Sequence, residues 1–425
     1  PISPNKMVIA WRQFDNIQSN FRQAGSAFST NKGISWTFPG VVIENGIFRS
    51  DPILATDANG KFYLNSLTSD SSLHCSVFKS DGDGIWDQGT SAFGGDKAWM
   101  VIDHSLDAIY SKWSYGSNSY PCDFTRSFDF GEHYEICSLV PNDLFWGSMD
   151  IGPASEVYII GNNGTVLRSN NAKEFSSKID WEDLHSGINL EIKFVYLNGN
   201  SPNPDGLLGQ SWVSSNHSNT IYHGEVYTLA SVVTTNMLSP TDVVFARYSN
   251  TDKSWSQSII INDDHDDKNW QWFGTMSVAP NGRIDIVWLD TRDNPGTYLS
   301  SLYYSNSFDG GRTWSKNERL SESFDPHIGW PQQRKLGDYY HMISDNEGAN
   351  LAWAATFNGE QDVYYSYIYV GKTSKVENLK NTTSSWINAY PNPLTSKSTI
   401  QYSIPNYGQV QINIVNCLGT ILFRY

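Results

Sequence analysis

Arg12, Arg49, Arg292 and Arg334 each stand at one end of an extended run, with an aspartate or a glutamine within three residues. A planar guanidinium donates two parallel hydrogen bonds, the geometry that a carboxylate or a sulfate accepts. Lys97 adds a cation, and Trp99, Trp212 and Trp272 offer flat apolar faces of the kind that stack on a pyranose ring. Asp51, Asp290 and Asp338 are candidate general acids, a role that requires burial to raise the carboxyl pKa. Tyr339 and His341 follow Asp338 closely and are candidate bases. This set of residue types points to an anionic saccharide, bound and then cleaved by hydrolysis or by lyase chemistry. Each arginine has a second possible role, an ion pair with a nearby aspartate, and each tryptophan has one in packing.

Other chemistries find less support. INDDHDDKNW places Asp263, Asp264, Asp266 and Asp267 within five positions, a density of oxygen ligands that suits Ca²⁺, although the full spacing of a calcium loop is missing. No Cys/His spacing suggests zinc, and no glycine-rich phosphate loop joins a strand to a helix. The net charge of −15 argues against nucleic acid as a partner. No apolar run has the length of a membrane-spanning helix. Of four cysteines, Cys122 and Cys137 flank a turn at equal offsets and could face each other across a hairpin; four free thiols are the alternative.

The elements that must position these residues are strands. SFDGGRTW at 307–314 has relatives at 29–36 (STNKGISW), 80–86 (SDGDGIW), 127–134 (SFDFGEHY), 169–175 (SNNAKEF) and 249–255 (SNTDKSW). Each follows a strand-like run, and upstream of most lies an extended run, a turn and a second strand, as in FGTMSVAPNGRIDIVWLD. Helical periodicity is nearly absent. Each unit therefore reads as a four-stranded antiparallel sheet, the blade of a β-propeller. The expectation is an all-β chain of seven blades, with six or eight as alternatives, in which the first unit lacks its innermost strand. The starts of innermost strands and the ends of second strands meet at one face around the axis. There Arg12, Arg49, Lys97, Arg292 and Arg334 from distant parts of the sequence would share one funnel.

The pattern Ser-x-Asp-x-Gly-x-x-Trp resembles the Asp-box of the sialidase-like, or BNR-repeat, propeller superfamily, over residues 7–370. In that family an arginine triad grips the substrate carboxylate. Phe48-Arg49 is similar to the start of the family's F/Y-R-I-P motif, but Ser50 and Asp51 stand where Ile and Pro would be. The resemblance would make Arg292 a second triad member and Tyr339 or Tyr340 the tyrosine nucleophile. After a polar linker at 371–386, residues 387–425 read as part of a small β-sandwich. Tyr390-Pro391-Asn392-Pro393 and Asn416-x-Leu418-Gly419 resemble the C-terminal sorting domain of the Bacteroidetes type IX secretion system. That resemblance implies export to the cell surface or beyond, with the secretion machinery as a partner. Two functions compete: an enzyme acting on an acidic polysaccharide, and a non-catalytic propeller that binds a glycan or a protein.

Overall fold

The computed structural model describes residues 5–116, 122–188, 200–233, 240–264 and 268–370, and the strands 386–390, 399–403, 413–415 and 421–424. The chain divides into two units, Pro1–Tyr369 and Val370–Tyr425. The first is a seven-bladed β-propeller in which every sheet pairing is antiparallel. Blades 2, 4 and 6 have four strands: Phe48–Thr56 to Thr90–Ser91, Met149–Ile151 to Glu182–Ser186, and Gln271–Val278 to Glu318–Arg319. Blade 5, from Trp212–Ser215 to Ser254–Trp255, adds Ile259–Ile260 on its third strand. Blades 3 and 7 show three strands, from Trp99–Asp103 to Phe124–Ser127 and from His341–Ser344 to Asp362–Tyr369. Of these, only blade 3 falls short of the four strands expected of it, counted among the described residues.

Blade 1 is Met7–Phe14, Arg22–Ser29 and Thr37–Val41, and it begins on the second-strand position, as its sequence suggested. It closes the ring against blade 7, where the Trp36 and Tyr365 rings lie 5.1 Å apart. In the second unit, Trp386–Tyr390 pairs with Thr399–Ser403 and Asn413–Val415 with Ile421–Arg424. Pro391-Asn392-Pro393 and Asn416, Leu418 and Gly419 lie outside the described residues.

The repeated turn is a local hydrogen-bonded device. In SFDGGRTW the Ser307 hydroxyl donates to Asp309 Oδ1 at 2.8 Å and accepts the Gly311 N–H at 2.9 Å. Asp309 Oδ1 also accepts the N–H groups of Arg312 and Thr313, and Oδ2 accepts the Thr313 hydroxyl. These donors hold the Asp309 carboxyl down to about 2, against a smaller opposing effect than their sum from burial, the largest single influence. Gly311 sits at φ +76°, where a Cβ would meet the Phe245 ring at 2.3 Å. The copies at Ser29 and Ser127 repeat the glycine N–H to serine bond over the same four positions, whereas at Ser80 the donor is Gly82, two positions on.

The closing aromatic also reaches the preceding blade. Trp314 contacts Phe245 of blade 5 at 5.0 Å, Trp86 donates to Ser26 of blade 1, and Trp255 donates to the Leu184 carbonyl of blade 4. Each thus fastens a blade to the one before it. Asp309→Ala is expected to lower stability by about 1–2 kcal/mol, the worth of its turn bonds, with ligand affinity of the folded protein unchanged. Chemical denaturation beside a binding titration checks this, and lost affinity at unchanged stability would contradict it.

Cys122 and Cys137 form a disulfide, with Cα atoms 5.7 Å apart. Cys75 is a buried free thiol, pushed up to about 12 by that burial. Cys417 lies outside the described residues.

Candidate functional site

The entry to the innermost strands has a repeated backbone kink. Asp51, Lys97, Trp146 and Phe273 occupy the left-handed region at φ 50–56°, and glycines take the corresponding place in blade 5 (Gly209, φ +137°) and blade 7 (Gly337, φ +139°). A side chain in this region costs about 1–2 kcal/mol, so something must hold it. Hydrogen bonds between neighbouring entries do so: Phe273 N–H donates to the Leu208 carbonyl at 2.7 Å and Ser211 N–H to the Trp146 carbonyl at 3.3 Å. In blades 2 and 6 the kink shifts the register, between Ser50 and Ile53 and between Trp272 and Thr275. The kink carries Asp51 and Lys97 toward each other.

Lys97 Nζ lies 3.1 Å from Asp338 Oδ2, 3.3 Å from Asp51 Oδ2 and 3.5 Å from Asp96 Oδ1. Lys335 Nζ is 2.7 Å from Asp338 Oδ2, and the Leu207 N–H donates to Asp338 Oδ1. Burial alone would raise Asp51 and Asp338, but Lys97, joined at Asp338 by Lys335, holds both well below the usual carboxylate range. Burial raises Asp96, with Lys97 opposing and Asp51 reinforcing the shift. Burial would lower Lys97, yet Asp338, Asp51 and Asp96 together lift it well above an ordinary lysine.

Beside this cluster the axis is filled by rings from three blades. Trp99 meets Trp212 edge-on at 5.2 Å and Tyr339 at 5.6 Å, while His341 lies parallel to Trp212 at 6.0 Å. Trp99 and Trp212 are each 4% exposed. Burial, then the charge of Asp51, pushes the Tyr339 phenol far above its ordinary value. Burial lowers His341 to about 4, leaving it neutral at physiological pH. Tyr340 is buried and donates to the Ala354 carbonyl.

Asp51, Lys97, Asp338, Tyr339, His341, Trp99 and Trp212 are therefore brought together from four blades. The acids proposed for catalysis, however, are ionised and matched to lysines, which removes the raised pKa a general acid needs. Asp290 lies elsewhere: fully buried, it accepts from Trp288 Nε1, Gln271 and Arg292. Burial raises its pKa while Arg292 opposes. Trp272 is 0% exposed and donates to Ser300 Oγ, so its face is spent on packing and is closed to a sugar.

Arg292 divides its guanidinium among Asp263 at 2.6 Å, Asp290 at 2.8 Å and Asp264 at 3.3 Å. Asp263 and Asp264 are thereby engaged by a cation of the protein itself; Asp266 and Asp267 lie outside the described residues. Among the described residues no group of three acidic, His or Cys side chains suits a metal ion. Arg334 pairs with Asp205 at 3.0 Å. Arg49 is sealed at 5% exposure, bonded to Asn45 and the Ile47 carbonyl and stacked on Phe78.

Two further arginines share with Arg49 the lack of an ion pair among the described residues, but lie together at the funnel end. Arg12 donates to Gln333 Oε1 at 3.0 Å and stacks 5.1 Å above Phe14; Arg22 stacks 5.4 Å above Phe48. Phe14 pairs with Arg22 across the ribbon, so Arg12, Phe14 and Arg22 share its face at the funnel end. Among the described residues neither guanidinium makes an ion pair, and Arg22 Nε is a buried donor without a partner. Burial, then the like charge of Arg12, lowers the Arg22 pKa, while Asp51, Asp96 and Asp338 act the other way. Arg12 was foreseen from sequence. Arg22 was not, because it opens a third strand, although third strands also start at the funnel face.

No protein-family model matches the chain, and neither does any curated protein. Among solved structures it is similar to a fungal alcohol oxidase of the AA5 family in complex with copper, at 8% identity and a TM-score of 0.56, over 92% of this chain and 77% of that one. Others are a Hadza microbial sialidase, 13% identical over 83% of this chain and 74% of that one (TM-score 0.39), and the GH93 α-L-arabinofuranosidase of Fusarium graminearum, 14% identical over 65% and 94% (TM-score 0.36). At these identities the likeness concerns the fold alone.

Proposed function

We propose that this propeller binds an anionic saccharide at its funnel mouth without cleaving it. The observation that carries the reading is the contrast between cations. Lys97, Arg292 and Arg334 are matched to carboxylates of the protein, whereas Arg12 and Arg22 stand side by side in no direct ion pair among the described residues, with Asp51 acting on them only through space. Two guanidiniums held together against mutual repulsion suit a carboxylate or sulfate. Cleavage would need a group able to give or take a proton beside that anion. Instead Asp51 and Asp338 are held ionised, Tyr339 protonated and His341 neutral, and rings close the axis beside them.

The test is to challenge purified protein with sialosides and with uronic-acid and sulfated polysaccharides. Reducing ends and unsaturated product are followed together with retention in affinity electrophoresis. Retention without turnover is expected. Turnover of any member would replace this reading with the enzymatic one, and absence of retention across the panel would end it.

The chain's location belongs to the same proposal. Residues 387–425, with their likeness to a type IX sorting domain, would carry the propeller to the cell surface or beyond, where polysaccharides are met. A reporter protein fused to this tail and assayed for surface delivery in a bacterium with that secretion system decides the point.

A further inference from the structure

We propose that the ligand is an oligomer, and that the rings of Tyr298, His327 and Trp330 hold the sugar unit next to the one whose anionic group meets Arg12 and Arg22. This rests on the anionic-saccharide reading above. The His327 ring lies 4.6 Å from Tyr298 and 5.0 Å from Trp330, and all three are half-exposed. The imidazole and indole have their polar edges already occupied. His327 Nε2 is 3.0 Å from the Ser201 carbonyl, and Trp330 Nε1 donates to the Pro326 carbonyl at 2.9 Å. With those nitrogens engaged, the ring faces remain as the part of an aromatic side chain that stacks on a pyranose.

Position in the fold connects this platform to the arginines. Tyr298 lies between the second and third strands of blade 6, and His327 and Trp330 lie on the segment that leads into blade 7, both at the funnel end. Gly329, at φ +67°, allows that segment to cross close over blade 7: a Cβ there would stand 2.9 Å from the Gln361 nitrogen. The same segment continues through Gln332, which donates to the Gln18 carbonyl of blade 1, to Gln333, which accepts from Arg12. Gln333 is three positions beyond Trp330, a span of at most about 11 Å, so the platform and the arginine pair lie within reach of one short oligosaccharide. Two subsites joined by a fixed segment favour a chain over a single sugar, because the second contact adds to the first without a second loss of translational freedom.

The experiment uses three ladders of one to six residues, of uronic, sulfated and sialic acid units, titrated calorimetrically into the whole chain. For the ladder that binds, affinity should rise at least tenfold between one and three residues. Trp330→Ala and Tyr298→Ala should each flatten that rise while leaving single-unit binding as it is, measured well below the melting temperature of each variant. Affinity independent of length in the wild type, or a length dependence untouched by both substitutions, overturns the two-subsite inference and leaves the arginine site standing. Failure of the wild type to bind any ladder overturns the functional reading itself.

Discussion

Lys97→Met is expected to lower the stability of the folded chain by about 3–5 kcal/mol, the loss that follows when one member of a buried charge cluster is removed and the rest stay behind. Methionine keeps most of the side-chain volume, so the effect isolates the ammonium. Without it, Asp51 and Asp338 keep one direct cation between them, Lys335 on Asp338, and otherwise only the more distant charge of Arg12. The pH dependence gives the prediction a sign. In the wild type both carboxyls have folded pKa values depressed below their unfolded ones. Their contribution is therefore complete above the unfolded value of about 4 and is lost only as pH falls through the folded values, in strong acid.

In Lys97→Met, burial and mutual repulsion should raise at least one of the two carboxyls, so the folded state takes up a proton before the unfolded state does. Stability of the variant should then rise more steeply than that of the wild type as pH is lowered from 7 toward 4, because in the wild type only Asp96 of the three carboxyls has a raised pKa. Urea denaturation across that range measures both. A second change, Asp51→Asn in the Lys97→Met background, should recover part of the loss at pH 7. A Lys97→Met protein as stable as the wild type at neutral pH would show that solvent, and not Lys97, balances the carboxylates.

The same cluster marks how far the sequence can be read. The propeller was legible because its turn is written locally: Ser307, Asp309 and Gly311 bond to one another within five positions, so their spacing records the geometry directly. The level at which side chains meet was also legible, since the up-and-down strand order places Asp51, Lys97 and Asp338 at the same end of blades 2, 3 and 7. Their chemical fate was not. Whether Arg292 meets a ligand or Asp263, 29 positions away, depends on how two loops lie against each other, and no local pattern encodes that. The kinks at strand entries were equally hidden, because glycine marks them in blades 5 and 7 while Asp51, Lys97, Trp146 and Phe273, residues that favour negative φ, take positive φ elsewhere. Trp272 shows the consequence: beside such a kink, its ring ends in the core, donating to Ser300.

Replacing Arg12 and Arg22 together by alanine should weaken binding of an anionic saccharide by roughly 100-fold or more, since each charge-assisted hydrogen bond to a ligand contributes about 1.5–3 kcal/mol. The wild-type affinity should fall steeply with added salt, and the double variant should lose most of that dependence. Arg12→Lys should fall between the two, because an ammonium keeps the charge but cannot make the paired bonds of a guanidinium. Stability should move differently. Arg22 is held partly buried beside a like charge, with its Nε unsatisfied, so removal of the pair takes away a repulsion as well as the stacking on Phe14 and Phe48. The double variant should keep the wild-type melting temperature in the absence of ligand. Loss of binding with retained stability would mean that the two arginines are kept together for a partner outside the protein. Equal losses of both would mean that they serve the fold, and the site would have to be sought elsewhere on the funnel face.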